Sequence, residues 1–66
     1  MNVILYSTHC PRCSVLEKKL TSANIEYTLE TDADVMVEKG FMSVPMLEVD
    51  GNVMDFKSAI EWVNNM

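Results

Sequence analysis

Sixty-six residues, 48% of them hydrophobic and only two each of Gly and Pro, make one small folded domain, 1–66, and exclude the polar, highly charged profile of a disordered chain. A formal charge of −5 argues against nucleic acid, whose phosphates need a basic footprint, and points to a protein or small-molecule partner. No apolar run can span a bilayer and no basic start leads into an apolar block, so a cytoplasmic protein is expected.

The first element is Val3-Ile4-Leu5-Tyr6, a continuous run of strand formers that suits a central strand buried on both faces. Ser7-Thr8-His9 breaks the pattern. Pro11 sits where a first helical residue would, since its fixed φ suits the helix and its missing N–H costs nothing there. From Cys13 through Leu16, Leu20 and Ala23 the small and apolar positions recur at helical spacing, and Asn24 is a left-handed stop.

Ile25, Tyr27 and Leu29 alternate with Glu26, Thr28 and Glu30, which predicts a strand with one wetter face. Thr31-Asp32-Ala33-Asp34 reads as a capping segment before a short helix over Val35 to Lys39, ended by Gly40. Val44 to Val49 reads as a strand with Pro45 at its mouth. Asp50-Gly51 between apolar runs predicts a hairpin into Val53-Met54. Phe56, Ala59, Ile60 and Val63 form the stripe of a last helix, with Trp62 beside it as a packing residue. The six methionines, the two chain ends apart, are expected to fill core or sheet positions.

The predicted order is β-α-β, short α, β-β, α. A helical crossover makes the first two strands parallel, and the hairpin makes the last two antiparallel. The expected fold is α/β, a four-stranded mixed sheet covered by helices.

Both cysteines lie in "STHCPRCSVL", residues 7 to 16. As a structural staple, Cys10–Cys13 would close a loop worth only about 2 kcal/mol before strain, and would tie nothing distant together. A structural zinc wants four ligands, and beyond the two thiols only the adjacent His9 and scattered carboxylates remain, so no metal is expected. Spacing leaves open a cluster bridged between two chains. A reactive dithiol fits the position better. The first turn of a helix has free N–H groups and the positive end of the macrodipole, and such contexts bring cysteines to between about 3.5 and 7.5. Arg12 adds a cation, and His9 adds one when protonated. Cys10, at the mouth of the loop, is the expected exposed nucleophile. Cys13, one turn in, is the expected buried resolving thiol of higher pKa.

"YSTHCPRC", residues 6 to 13, then "SVPMLEVDG", residues 43 to 51, then a short strand and terminal helix, resemble the glutaredoxin family of the thioredoxin fold over essentially the whole chain. The resemblance implies a minimal thioredoxin-like fold and a thiol-disulfide oxidoreductase. By it Cys10 is nucleophile, Cys13 resolves, and Val44-Pro45 is a cis-proline site facing them, with Thr8, His9, Pro11 and Arg12 as further substrate contacts. The match departs from glutathione-binding members at Asp55-Phe56 and Lys57-Ser58-Ala59, where those usually carry Gly-Gly and an acidic segment. Arg12 replaces the usual aromatic, and no lysine precedes Cys10. "GFMSVP", residues 40 to 45, and "DFKSA", residues 55 to 59, look more like the small redoxins that donate electrons to ribonucleotide reductase. For those, a thioredoxin-reductase-type flavoprotein rather than glutathione supplies the electrons. The implied state is a monomer with no bound cofactor beyond the Cys10–Cys13 disulfide. Lys57, unfavourably placed for the helix dipole, is a candidate contact for an anionic ligand or partner. A non-catalytic redox-sensing module of the same fold would carry the same motifs.

Overall fold

The computed structural model describes residues 2–66. The elements run β1 (Val3–Tyr6), α1 (Pro11–Ser22), β2 (Thr28–Glu30), α2 (Ala33–Glu38), β3 (Met46–Val49), β4 (Asn52–Met54) and α3 (Phe56–Asn64). The four strands form one mixed sheet in the order β2-β1-β3-β4. β1 lies parallel to β2 and antiparallel to β3, and β3 lies antiparallel to β4. Among the described residues no helix is long and apolar enough to cross a membrane.

One side of the sheet carries the main core. Val3, Leu5, Leu47 and Val49 cluster there with Leu16 and Leu20 of α1, Ile25, and Ala59 and Val63 of α3. Period-2 alternation along β1 turns Ile4 and Tyr6 to the opposite side. There Tyr6 meets the Phe41 ring edge-on at 4.9 Å and donates its hydroxyl to Glu48 Oε1 at 3.1 Å. Lys39 Nζ lies 3.7 Å from the same carboxylate and 5.7 Å above the Tyr6 ring. Burial, then the Glu48 hydrogen bond, push the Tyr6 phenol up, and Tyr6, first of all, pushes the Lys39 ammonium up. This cluster fastens the segment after α2 to the back of the sheet.

The turns follow their residue chemistry. Asn24 (φ 57) ends α1, Gly40 (φ 78) ends α2, and Asp50 (φ 50) with Gly51 (φ 90) make the two-residue hairpin. Positive φ at both central positions is the geometry whose twist matches the strands it joins.

Several expectations need correction. Ala23 is exposed and caps α1 rather than joining its stripe. The second strand is only Thr28–Glu30. Its inward alternation persists, but cover fades from Ile25 at 8% exposure to Leu29 at 42%. β2 is an edge strand, so Leu29 lies on the helix side with its partner Leu5 yet beyond the helices' full cover. β3 begins at Met46, after the proline, rather than at Val44. Among the methionines Met36 is buried at 4%, whereas Met42 is 99% exposed and fills no core position.

These burials order the cost of truncation. Leu20→Ala, at a site with no exposure, should lose about 2–5 kcal/mol, whereas Leu29→Ala should change stability by less than about 0.5 kcal/mol. Urea denaturation of both variants checks this, and a larger loss at Leu29 would contradict the edge assignment.

Candidate active site

β1 leaves the sheet in four residues. The Ser7 N–H still donates to Glu30 O at 3.0 Å, extending the pairing with β2 by one step. The chain then turns away. The His9 N–H donates to Ser7 Oγ at 3.1 Å, and His9 takes the left-handed conformation at φ 62. Such a backbone costs a non-glycine residue on the order of 1 kcal/mol or more. It delivers Cys10 to the N-cap of α1, with Pro11 opening the helix.

Cys10 caps twice. Its carbonyl accepts the Ser14 N–H at 3.1 Å, and its Sγ accepts the Cys13 N–H at 3.3 Å. The side chain that usually satisfies this free amide is an oxygen; here it is the candidate nucleophile's sulfur. Cys10 is partly exposed, and Cys13 has no exposure. The two sulfurs are 2.7 Å apart and hydrogen-bonded as free thiols. Exposure therefore divides the pair in the expected direction, with Cys10 open to a partner and Cys13 behind it.

The acidity of Cys13 differs from expectation. Burial pushes its thiol up, but hydrogen bonds from Cys10, from the Ser7 side chain and from the Thr8 and Cys10 backbone outweigh burial and leave it below its ordinary value.

The other candidate residues are distributed around this pair. Thr8, His9, Pro11 and Arg12 are exposed. The Arg12 guanidinium lies 5.8 Å from the centroid of the Phe56 ring, which joins the motif to the start of α3. Phe56 is half-buried against the core. Lys57 is exposed in the first turn of α3. The Val44–Pro45 bond is cis, as the resemblance implies. Pro45 is fully buried and Val44 half-buried. Tyr6 pairs with Met46, and continuing that antiparallel register one step sets Pro45 across from Ser7, at the same end of the sheet as the dithiol. Among the described residues no three His, Cys, Asp or Glu side chains gather as a metal site would require.

Two residues escaped the sequence reading. Ser7, with no exposure, carries no sequence signal, because only the packed loop buries it. Asp55 does carry one: an acidic residue directly before an apolar helical stripe is a preferred N-cap. It caps α3 by accepting the Ser58 N–H at 2.8 Å. The Ser58 backbone bond, chiefly, holds its carboxyl below the usual range.

A depressed carboxyl stabilises the fold above its unfolded pKa, and the contribution is lost as pH falls through the folded value. Asp55→Ala should therefore melt lower than wild type near neutrality, and the gap should narrow below about pH 4. Thermal melts of both proteins across that range test it; a gap constant with pH would remove the charge from the account.

No family model matches the chain, and neither a curated protein nor a solved structure is found to match it, so the dithiol, its capped helix and the proline beside it are the features on which a function must rest.

Proposed function

We propose that the protein is a thiol-disulfide oxidoreductase of the glutaredoxin kind on a minimal thioredoxin-like fold, and that it reduces disulfides of a protein partner. The observation that carries this reading is the sulfur pair: a partly exposed helix-capping thiol in hydrogen-bond contact with a fully buried one. Support comes also from the placement of Cys-Pro-Arg-Cys at the end of an interior strand and of the buried Pro45 at the mouth of its neighbour.

Cys10, as thiolate, attacks one sulfur of the partner's disulfide. A Cys10–partner bond forms, and the partner's other sulfur leaves with the electron pair and takes a proton. Cys13 thiolate then attacks Cys10 Sγ. The Cys10–Cys13 bond forms, and the second partner thiol is released. The Cys13 amide and the helix dipole favour negative charge on Cys10 in the first step. Val44 offers its backbone to an extended partner chain as an added strand, and Thr8, His9, Pro11 and Arg12 form the rim such a chain would cross.

A thioredoxin-reductase-type flavoprotein suits this chain better than glutathione as electron source. Glutathione is anionic and the protein carries −5. With a screening length of about 8 Å at physiological salt, the groups near the dithiol decide. Arg12 already covers the Phe56 ring, and Phe56 stands where glutathione-binding relatives bring glycine backbone close. Among the described residues that leaves the exposed Lys57 at the start of α3, open to an anionic group of the partner. Ribonucleotide reductase is the partner the resemblance suggests.

Insulin reduction tests the proposal with two electron sources side by side. NADPH with thioredoxin reductase should sustain turnover, and glutathione with glutathione reductase should do so poorly. The reverse result would replace the electron source, and no turnover with either would sink the oxidoreductase reading in favour of a sensing module. Cys10→Ser should abolish exchange. Cys13→Ser should accumulate a mixed disulfide with the partner, visible by mass; near-normal turnover of that variant on glutathionylated substrates would instead indicate a monothiol route.

A further inference from the structure

Resting on the dithiol reading above, we propose that Arg12 is the specificity-determining residue of the motif. Held over Phe56, and joined by Lys57 at the next position of α3, its guanidinium selects protein disulfides that are flanked by acidic residues.

Arg12 stands between the two cysteines in the first turn of α1, so any segment that reaches Cys10 passes close to it. Its guanidinium carbon lies 5.8 Å from the centroid of the Phe56 ring. That is inside the range of about 6 Å over which an aromatic face attracts a cation. Phe56 is itself packed against the core. A long, exposed side chain is thereby steadied, and it loses less freedom when a partner arrives. The ring offers no oxygen acceptor, yet a guanidinium carries five N–H donors in a fork that matches a carboxylate. Among the described residues the ion pair found is that of Lys39 with Glu48, on the other side of the sheet. Neither Arg12 nor Lys57 is matched there by a carboxylate of the chain. Asp55, directly before Phe56, caps α3 through the Ser58 N–H at 2.8 Å, and Glu61 lies a full helical turn beyond Lys57. His9, on the other side of Cys10, is exposed and adds charge only when protonated.

Charge complementarity then names the partner's chemistry. The protein carries −5 and as a whole repels an acidic segment. Screening over about 8 Å leaves the groups nearest the contact in control, however, and at this end those are Arg12 and Lys57. A segment crossing the rim of Thr8, His9 and Pro11 meets Arg12 within the motif. It needs no close backbone approach at Phe56, as glutathione would. The carboxylate binds before any bond changes. Cys10 and Cys13 then give two electrons and two protons to the partner's disulfide, which leaves as two thiols while the Cys10–Cys13 bond forms.

The test is a single turnover near neutrality, in which the reduced protein is mixed with either of two synthetic disulfide peptides. The peptides are alike except that Glu residues flank the cysteines in one and Gln residues in the other. The half-saturating concentration should be about fivefold lower for the acidic peptide, the upper end for an exposed ion pair, with the limiting rate nearly unchanged. Dithiothreitol, which carries no cation, should reduce the acidic peptide no faster than the neutral one. Arg12→Gln should remove most of the difference, and Arg12→Gln with Lys57→Gln all of it. Salt at about 1 M should shrink it in wild type. Phe56→Leu, which keeps the cation but takes away the ring beneath it, should remove part. Each readout is a ratio within one protein sample, so partial unfolding of a variant does not disturb it. Equal half-saturation of wild type by the two peptides overturns the proposal. So does a ratio that survives Arg12→Gln, even where that variant is slower with both peptides, and a ratio untouched by Phe56→Leu overturns the part given to the ring. Failure of the underlying reading would look different, since reduced wild type would then be oxidised by neither peptide.

Discussion

The passage from β1 into α1 is the constraint on which the rest of the molecule depends. β1 is an interior strand with β2 and β3 on its two sides, so its exit decides where the largest helix lands. Leu16 and Leu20 of its buried stripe must meet Leu5 and Leu47 across the sheet face. The turn has no glycine to ease it. Instead His9 accepts a left-handed backbone, Ser7 folds its hydroxyl back to hold the His9 amide, and Cys10 satisfies the first free amide of the helix with sulfur. The atom expected to react is therefore also the cap that starts the helix, and the thiol behind it is part of the helix's buried stripe. Chemistry and packing share the same few atoms.

The opposite side of the sheet serves this turn indirectly. Tyr6 lies one residue before Ser7, and its ring and hydroxyl gather Phe41, Lys39 and Glu48. The chain from Lys39 onward is thereby held down before it reaches Val44 and Pro45. From there the antiparallel register with β1 carries the proline to the end of the sheet where the sulfurs lie. Edge position has the opposite effect on β2, whose outer residues keep their direction but lose their cover.

Charge is distributed with similar economy. Of five basic residues, Lys39 is engaged with Tyr6 and Glu48, Arg12 with Phe56, and Lys19 donates to Asn64 at 3.0 Å, linking α1 to α3. Lys18 and Lys57 are exposed. An acidic chain of this kind has little free positive charge to offer, and what stands near the dithiol is at the start of α3. The negative charge of a thiolate at Cys10 is met by the Cys13 amide, which acts over hydrogen-bond distance and is insensitive to salt.

The sequence by itself determined the features that depend on neighbours in the chain. Helical periodicity placed α1 and α3 and alternation placed the strand ending at Glu30, because each period reflects local backbone geometry; a continuous apolar run marked β1. Pro11, Asn24, Gly40 and Asp50-Gly51 marked helix start, helix ends and hairpin, because their φ preferences are intrinsic to the residue. The spacing and position of Cys10 and Cys13 named the candidate site, and Asp55 could have been added to the caps by the same reasoning. Tertiary structure decided what depends on distant partners. Leu29 and Met42 carry the same apolar side chains as buried residues, yet one sits at a sheet edge and the other on an uncovered loop. Nothing in a serine's identity tells that Ser7 would be fully buried under the loop it holds. The lowered thiol at Cys13 reverses the simple rule that burial raises it, because donors assembled by the folded loop outweigh desolvation. Local preference chooses conformation one residue at a time, but burial and acidity are set by what the fold brings alongside.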